Sequence, residues 1–110
     1  MFVARWQFTG QFGRVDDVLS LLRKWEIDVG ERAGWKSGSI RVVVGLVGAT
    51  NSAVEFEVHV DSLADLEAAW NDMDRNPNHH EYMKQLGQVI VAGSNHWTVH
   101  REVALIPSEG

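Results

Sequence analysis

The sequence predicts an α+β domain in which a four-stranded antiparallel sheet carries its helices on one face. Four segments alternate apolar and polar residues with a period of two, which is the pattern of strands with one buried face. Two segments between them repeat apolar residues every three or four positions, as amphipathic helices do. The resulting order is β-α-β-β-α-β, and its compact solution is one sheet with both helices on the same side.

The first strand and the first helix follow from these two periods. The strand spans Phe2 to Thr9, and its apolar face consists of Phe2, Ala4, Trp6 and Phe8. After a turn, residues from about Arg14 to Val29 form the helix, whose apolar positions are Val15, Val18, Leu22, Trp25 and Val29. Gly30 and Gly34 mark the end of this helix.

Residues 39–60 are predicted to form one long β-hairpin. The positions expected to face the core are the even-numbered Ile40, Val42, Val44, Leu46, Val54, Phe56, Val58 and Val60. Both arms face the same core only if paired residue numbers sum to an even number, so we expect a three-residue loop at residues 49–51. In that register Arg41 lies opposite His59 on the other face of the sheet.

The second helix is predicted to be broken near Asn76-Pro77. Ser62 and Asp65 form a capping pair at its start. Asn76 can cap a new helix with Pro77 at the first helical position. The apolar positions of the two pieces are Leu63, Leu66, Ala69, Trp70 and Met73, then Tyr82, Met83, Leu86, Val89 and Ile90, and the second piece extends to about Ala92.

The final strand is predicted from Asn95 to Ile106. Its apolar positions are Trp97, Val99, Val103 and Leu105. Arg101 interrupts this apolar side, which a bulge or a change of pairing partner would explain. The chain is thus predicted to be a single ferredoxin-like domain over residues 1–106, followed by a frayed tail at residues 107–110.

Composition excludes several classes of protein. The chain has 110 residues, no cysteine and a formal net charge of −5, so disulfides, thiolate chemistry and Cys-ligated zinc are unavailable. The negative charge argues against a nucleic-acid partner, and no apolar run is long enough to cross a membrane. No phosphate-binding or catalytic-triad motif occurs, so no cofactor or metal is expected. Without a signal-peptide pattern, a cytoplasmic location is the default expectation.

The sheet face away from the helices is predicted to be mixed in character. It should display Val3, Arg5, Gln7, Arg41, Val43, Val47, Glu55, Glu57, His59, His96, Thr98, His100 and Glu102. Three valines among paired charges indicate a half-buried surface, since buried carboxylates need partners. Such a face, with unpaired edge strands beside it, predicts a homodimer that encloses it.

Trp70, the Asn76-Pro77 break and the helix from Tyr82 to Ile90 resemble the dimeric α+β barrel superfamily, in particular NIPSNAP-like proteins and antibiotic-biosynthesis monooxygenases. Asn76 stands where an acidic residue usually precedes the proline. The resemblance implies two sheets closing face to face and a ligand pocket between sheet and helices or inside the barrel. It also implies cofactor-independent oxidation or isomerisation.

The histidines supply the candidate catalytic residues, because only imidazole titrates near neutral pH without perturbation. His59 is a candidate general base oriented by Glu57, and the alternative is an ion pair between Glu57 and Arg41. His100 is the other candidate proton-transfer group. His96 and His100 lie roughly 13 Å apart along one strand, so they cannot bind one metal together. Either could act as a separate acid or base, or as a haem ligand if the haem-binding branch of the resemblance applied.

Ligand-binding candidates come from the aromatic residues and from the charges near them. The set is Trp6, Arg5, Arg41, Trp35, Trp70 and His80. Trp6, Trp25 and Trp70 lie on predicted core faces, whereas Trp35 in a Gly-bounded loop is either a lid over a ligand or a plug at a subunit contact. His79 and His80 are expected to be exposed, with His80 at a pocket mouth.

Two functions from different classes fit these features. The first is a homodimeric protein that binds a small aromatic or hydrophobic molecule and acts as a cofactor-independent monooxygenase or isomerase. The alternative is a non-catalytic dimer that senses or carries a ligand or serves as an assembly module, and a void-free core around Trp6, Trp25 and Trp70 would favour it. RNA recognition is disfavoured because Trp6 and Phe56 have the parity of the helix-covered face.

Overall fold

The computed structural model describes residues 1–106. Its elements are β1 (Phe2–Thr9), α1 (Val15–Trp25), a π-helical turn (Glu26–Gly30), a 3-10 turn (Ser37–Ser39), β2 (Ile40–Val44), β3 (Ala53–Val60), α2 (Leu63–Asp74), α3 (Pro77–Gly87) and β4 (His96–Arg101). The strands form one antiparallel sheet in the order β2-β3-β1-β4. This is the predicted ferredoxin-like arrangement. The predicted frayed tail at residues 107–110 lies outside the described residues.

The core lies between the sheet and the helices, as the alternation predicts. Its strand residues are Ala4, Trp6, Phe8, Val54, Phe56, Val58 and Val60. Its helix residues are Val18, Leu22, Trp25, Leu66, Ala69, Met73 and Leu86. The predicted orientation is confirmed for β3, whose even-numbered residues are buried under the helices. In β2, Ile40, Val42 and Val44 line a groove beside α1, but Val42 and Val44 remain 38% and 44% exposed.

The register of the hairpin differs from the prediction by two residues. Arg41 lies opposite Glu57, not His59, and Val42 lies opposite Phe56. β2 ends at Val44, and the backbone N–H of Gly45 donates to the carbonyl of Ala53 at 2.9 Å, so residues 45–52 form a longer connection than expected. Leu46, predicted to face the core, is 90% exposed in this connection.

Both predicted helix caps are present. The hydroxyl of Ser62 accepts a hydrogen bond from the N–H of Asp65 at 3.0 Å, and the side chain of Asn76 accepts one from the N–H of Asn78 at 2.9 Å. α3 ends at Gly87, before the predicted Ala92, and Ile90 instead forms an isolated bridge with Gly10. The prediction that Leu63 faces the core is wrong, because its side chain is exposed.

β4 is shorter than predicted and regular over its whole length. It pairs with β1 from His96 opposite Gln7 to Arg101 opposite Phe2, without a bulge or a change of partner. Arg101 is the last strand residue, so it interrupts the apolar pattern because the strand ends there. Val103 and Leu105, predicted to continue the apolar side, are exposed. Among residues 1–106, no helix is both long and apolar enough to span a bilayer.

Candidate functional site

All five tryptophans of the chain converge on the helix-covered side of the sheet. Trp6 stacks on Trp97 with ring centroids 5.9 Å apart and an interplanar angle of 8°, and Trp97 meets the edge of Trp70 at 5.4 Å. Trp25 lies 6.4 Å from Trp6 and 6.0 Å from Trp35. One indole thus comes from each of β1, α1, the loop before β2, α2 and β4, so the cluster joins most of the fold.

A cavity of about 360 Å³ opens within this cluster; we call it the indole cavity. It is lined by Trp6, Trp25, Trp70, Met73, Asp74, His79, Met83, Asn95 and Trp97. Trp6 and Trp25 are buried, whereas Trp70 and Trp97 are half-buried and flank it nearer to solvent. Its volume lies within the range usual for small-molecule sites, which are typically apolar with a few placed polar groups.

His79 is the imidazole of the indole cavity. The indole N–H of Trp25 donates to Nδ1 of His79 at 3.0 Å, and the two rings lie 6.2 Å apart. Burial lowers the pKa of His79, the neighbouring His80 lowers it further, and the carboxylate of Asp74 opposes them only in part. These effects favour the neutral form of the ring.

The start of α3 explains how His79 reaches the cavity. Asn76 caps the helix and Pro77 begins it, so His79 occupies the first turn, four residues before Met83. Residues four apart share a helix face, and Met83 also lines the cavity. The apolar stripe of the second helix piece, extended one turn backwards, would have indicated His79.

The expectation that both histidines are exposed is thus wrong for His79 and right for His80. The Nε2 atom of His80 lies 2.7 Å from the carbonyl oxygen of Asp74, and its ring packs 5.6 Å from that of His79. His80 therefore stands beside the indole cavity without lining it.

Trp35 is a core residue. It is 3% exposed and packs against Trp25, Phe56 and Trp97, so it is neither the surface lid nor the surface plug that its loop position suggested. Its indole N–H is buried without a hydrogen-bond partner in the described residues, and so is that of Trp70. An unpaired buried donor of this kind costs roughly 1–3 kcal/mol.

The open face of the sheet carries a row of charged groups, one from each of three adjacent strands. Glu57, 4% exposed, accepts from Nε of Arg5 at 3.1 Å and from Nε of Arg41 at 2.7 Å. Burial alone would raise the pKa of Glu57, but the hydrogen bonds and positive charges of both arginines outweigh it and lower that pKa. We call Arg41, Glu57 and Arg5 the charged row.

His59 and His100 lie on the same open face, on either side of Val3. Val3 pairs with His59 on β3 and with His100 on β4, so the two imidazoles stand two strands apart, roughly 10 Å. Nδ1 of His59 lies 2.7 Å from a carboxylate oxygen of Glu102. The carboxylate that contacts His59 is therefore that of Glu102, whereas Glu57 is engaged by the two arginines.

The residues proposed from sequence consequently divide between two faces. Trp6, Trp35 and Trp70 lie under the helices, and His80 lies beside the indole cavity. The open-face members are Arg5, Arg41, Glu57, His59 and His100. Sequence reasoning missed His79 and Trp97 as lining residues and treated Trp25 only as core.

Two other depressions are weaker candidates. One of about 760 Å³ is lined by two of the predicted site residues, Trp35 and His59, but most of its other lining residues are small or acidic. Another, of about 550 Å³, is an apolar groove between α1 and β2 that includes Glu26. Burial and the nearby Glu31 raise the pKa of Glu26 to about 7, with Lys36 opposing.

No protein-family model matches the sequence, and no curated protein matches it either. Solved structures do share its fold. A NIPSNAP family protein from Agrobacterium tumefaciens strain C58 superposes with a TM-score of 0.78 at 16% identity, covering 98% of this chain and 98% of that one. A NIPSNAP domain protein from Burkholderia xenovorans gives 0.74 at 13% identity over 98% and 100% of the two chains.

A putative antibiotic biosynthesis monooxygenase from Deinococcus radiodurans gives a TM-score of 0.61 at 12% identity, with 100% of both chains covered. The chain therefore has the fold that NIPSNAP proteins and antibiotic biosynthesis monooxygenases share. The superfamily resemblance drawn from Trp70 and the Asn76-Pro77 break is confirmed at the level of the fold.

Proposed function

We propose that this protein binds a small aromatic or hydrophobic molecule in the indole cavity. The observation that carries the proposal is the lining of this cavity, which is open to solvent and combines four indoles with the imidazole of His79. A cavity of about 360 Å³ lined by four tryptophans offers flat apolar surfaces against which an aromatic ring can pack. This favours ligand binding over a pure assembly role.

The reaction class we propose is cofactor-independent oxidation or isomerisation of the bound aromatic. The support is the likeness in fold to proteins described as antibiotic biosynthesis monooxygenases. The alternative, a non-catalytic ligand carrier or sensor, uses the same cavity and differs only in turnover. The catalytic assignment of His59, His100 and Glu57 stays a prediction, and it requires a substrate on the open face.

We also propose that the protein is a homodimer joined through that open face. The charged row and Val43 offer a surface with both charge signs and some apolar area, which a two-fold partner can complement with the same residues. The edge strands β2 and β4 lack a further neighbour among the described residues, and association would also shield them.

Binding is tested by titrating the protein with 1-naphthol and following the five indole N–H signals by NMR. We expect saturable shifts of Trp6, Trp25, Trp70 and Trp97. Met83→Trp, which fills the cavity, should abolish them, whereas Leu63→Trp adds the same bulk at an exposed site and should not. Unsaturable or absent shifts in the wild type would exclude the indole cavity as a site for such molecules.

Turnover is tested separately by oxygen uptake with dihydroxynaphthalenes. Oxygen uptake faster than the protein-free rate supports the monooxygenase, provided that Met83→Trp abolishes this excess uptake. Saturable binding without uptake or isomerised product supports the carrier or sensor.

A further inference from the structure

We infer that His79 recognises an oxygen acceptor on the aromatic ligand by donating its Nε2–H as a neutral imidazole, and that Trp25 is the positioning residue that fixes this tautomer. The inference rests on the proposed ligand-binding function of the indole cavity. It extends that function by stating which chemical group the ligand must present and which role His79 cannot take.

The hydrogen bond between Trp25 and His79 determines the tautomer. An indole nitrogen only donates, so Nδ1 of His79, 3.0 Å away, must carry a lone pair. An imidazolium has a proton on both nitrogens and cannot accept, so the ring is neutral and its one proton sits on Nε2. Residues 1–106 provide no hydrogen-bond partner for Nε2, although the ring lines the cavity.

The packing around Trp25 holds this arrangement in place. Trp25 is buried and meets Phe56 edge-on at 5.5 Å, with Trp6 and Trp35 on its other sides, so its indole cannot turn away from His79. The groups facing His79 from neighbouring elements are Asp74 at the end of α2 and His80 on α3. Burial and His80 oppose protonation of the ring more strongly than Asp74 favours it.

This geometry selects the ligand's chemistry. A planar ring packed against the indoles is recognised by its faces, and every aromatic molecule of the right size meets that requirement. A carbonyl or phenolate oxygen directed at His79 adds an acceptor for Nε2–H. Because the only lone pair of the imidazole faces Trp25, His79 cannot take a proton from the ligand while that bond lasts, and it acts as a hydrogen-bond donor rather than as a general base.

The tautomer is tested first, in the ligand-free protein. Long-range ¹H–¹⁵N spectra of the ¹⁵N-histidine-labelled protein should show His79 with its proton on Nε2 and a titration midpoint lowered from the usual 6.5. Trp25→Phe should remove this signature and restore exchange between the two tautomers, while the exposed His80 keeps its own signals. A proton on Nδ1 of His79 in the wild type would overturn the inference.

Recognition is tested with two probes of the same ring size, 1,4-naphthoquinone, which carries carbonyl acceptors, and naphthalene, which carries none. The measured quantity is the ratio of their dissociation constants. His79→Phe should reduce the preference for the quinone about tenfold, the worth of one hydrogen bond. His79→Gln keeps an N–H donor and should retain part of the preference.

The outcomes separate this inference from the function on which it rests. If both probes bind and the ratio is the same in the wild type and in His79→Phe, the donor role of His79 is wrong and aromatic binding stands. If neither probe binds while the fold is intact by circular dichroism, the proposed function fails and the recognition role of His79 fails with it.

Discussion

Glu57 places a negative charge at a nearly buried position on the side of the sheet that the helices leave open. A buried carboxylate without partners would be strongly unfavourable, and the cost is offset here because Arg5 and Arg41 each donate to a different oxygen of the same group. Because the side chains of Arg5 and Arg41 are 39% and 65% exposed, the row is stabilised by hydrogen-bond geometry rather than by deep burial of all three groups.

Glu57→Gln is expected to lower the free energy of unfolding by about 1–3 kcal/mol at pH 7, because the two guanidinium groups lose their charged acceptor. The folded-state pKa of Glu57 lies below the unfolded value of 4.5, so its contribution is present above pH 4.5 and is lost as the pH falls through the folded pKa. Urea unfolding should show the full deficit at pH 7 and a smaller one as the pH is lowered below 4.5. Glu55→Gln, two residues away on the same face of β3, is the control. Equal free energies of unfolding for Glu57→Gln and the wild type at pH 7 would contradict the prediction.

The pKa of Glu26 is shifted upwards, in the opposite direction to that of Glu57. One of its oxygens is buried without a partner, and its side chain lies over Gly30, where a Cβ would come within 2.2 Å of that oxygen. Burial and Glu31 together raise its pKa from 4.5 to about 7. The protonated acid is thus the form that the fold prefers, and its stabilising effect is complete below pH 4.5 and lost as the pH rises through about 7.

Glu26→Gln should therefore gain stability relative to the wild type as the pH is raised from 5 to 8, since glutamine stays neutral throughout. The check is the difference in urea midpoint between variant and wild type across that range. Glu67→Gln, at an exposed position on α2, should show no such trend. A difference in urea midpoint between Glu26→Gln and the wild type that stays constant with pH would refute the raised pKa of Glu26.

In the β2–β3 hairpin, the period-two pattern predicts which face each residue lies on but does not predict the pairing register. The alternation predicted the faces of β3, and those of β2 as far as Val44, correctly, because a one-residue slip would expose the whole apolar set. It was wrong for Leu46, which is exposed in the connection. A slip of two residues leaves every side chain on its face, so the pattern could not distinguish Arg41 opposite His59 from Arg41 opposite Glu57. The register depended on the turn, where Gly45 ends the ladder earlier than the apolar residues suggest.

Gly45→Ala is expected to destabilise the fold by about 1–3 kcal/mol, because the added Cβ would stand 1.8 Å from the carbonyl oxygen of Thr50 and the loop would have to open. Gly38→Ala is the matched control, since nothing lies within 4 Å of a Cβ there. Thermal unfolding of both variants measures the difference. Similar melting temperatures for the two variants would contradict the prediction, because the connection after β2 would then accommodate the added methyl group without loss of stability.

The helices that form the cavity were predictable in part. Asn76 and Pro77 indicated the break, and the cap observed there fixes the phase of α3. His79 was nevertheless expected in solvent, because adjacent histidines after a cap resemble an exposed first turn. Trp35 could not be assigned from sequence at all, since it lies in a loop without periodicity and only the tertiary fold brings it against Phe56.

The two faces of the sheet differ in character, and the two proposals use different faces: ligand binding the helix side and association the open side. The helix side holds the tryptophans and the indole cavity. The open side holds the charged row, with Val43 at 40% exposure beside it and Val3 buried between His59 and His100. The order of strands and helices was sufficient to predict the sheet topology. Predicting which residues lie on each face also needed the odd or even position of each residue along its strand.

If the open face is the dimer interface, one charge placed within its apolar part should dissociate the dimer without unfolding the chain. Val43→Asp puts a carboxylate next to its cross-strand neighbour Glu55, and a two-fold contact would bring two such sites into the interface. We expect the wild type to sediment at twice the mass of one chain at micromolar concentration and Val43→Asp at the mass of one. Leu63→Asp, exposed on α2, should remain dimeric. A wild type that sediments as a single chain would exclude the proposed dimer. Dissociation by Leu63→Asp but not by Val43→Asp would place the interface on the helical side of the sheet instead.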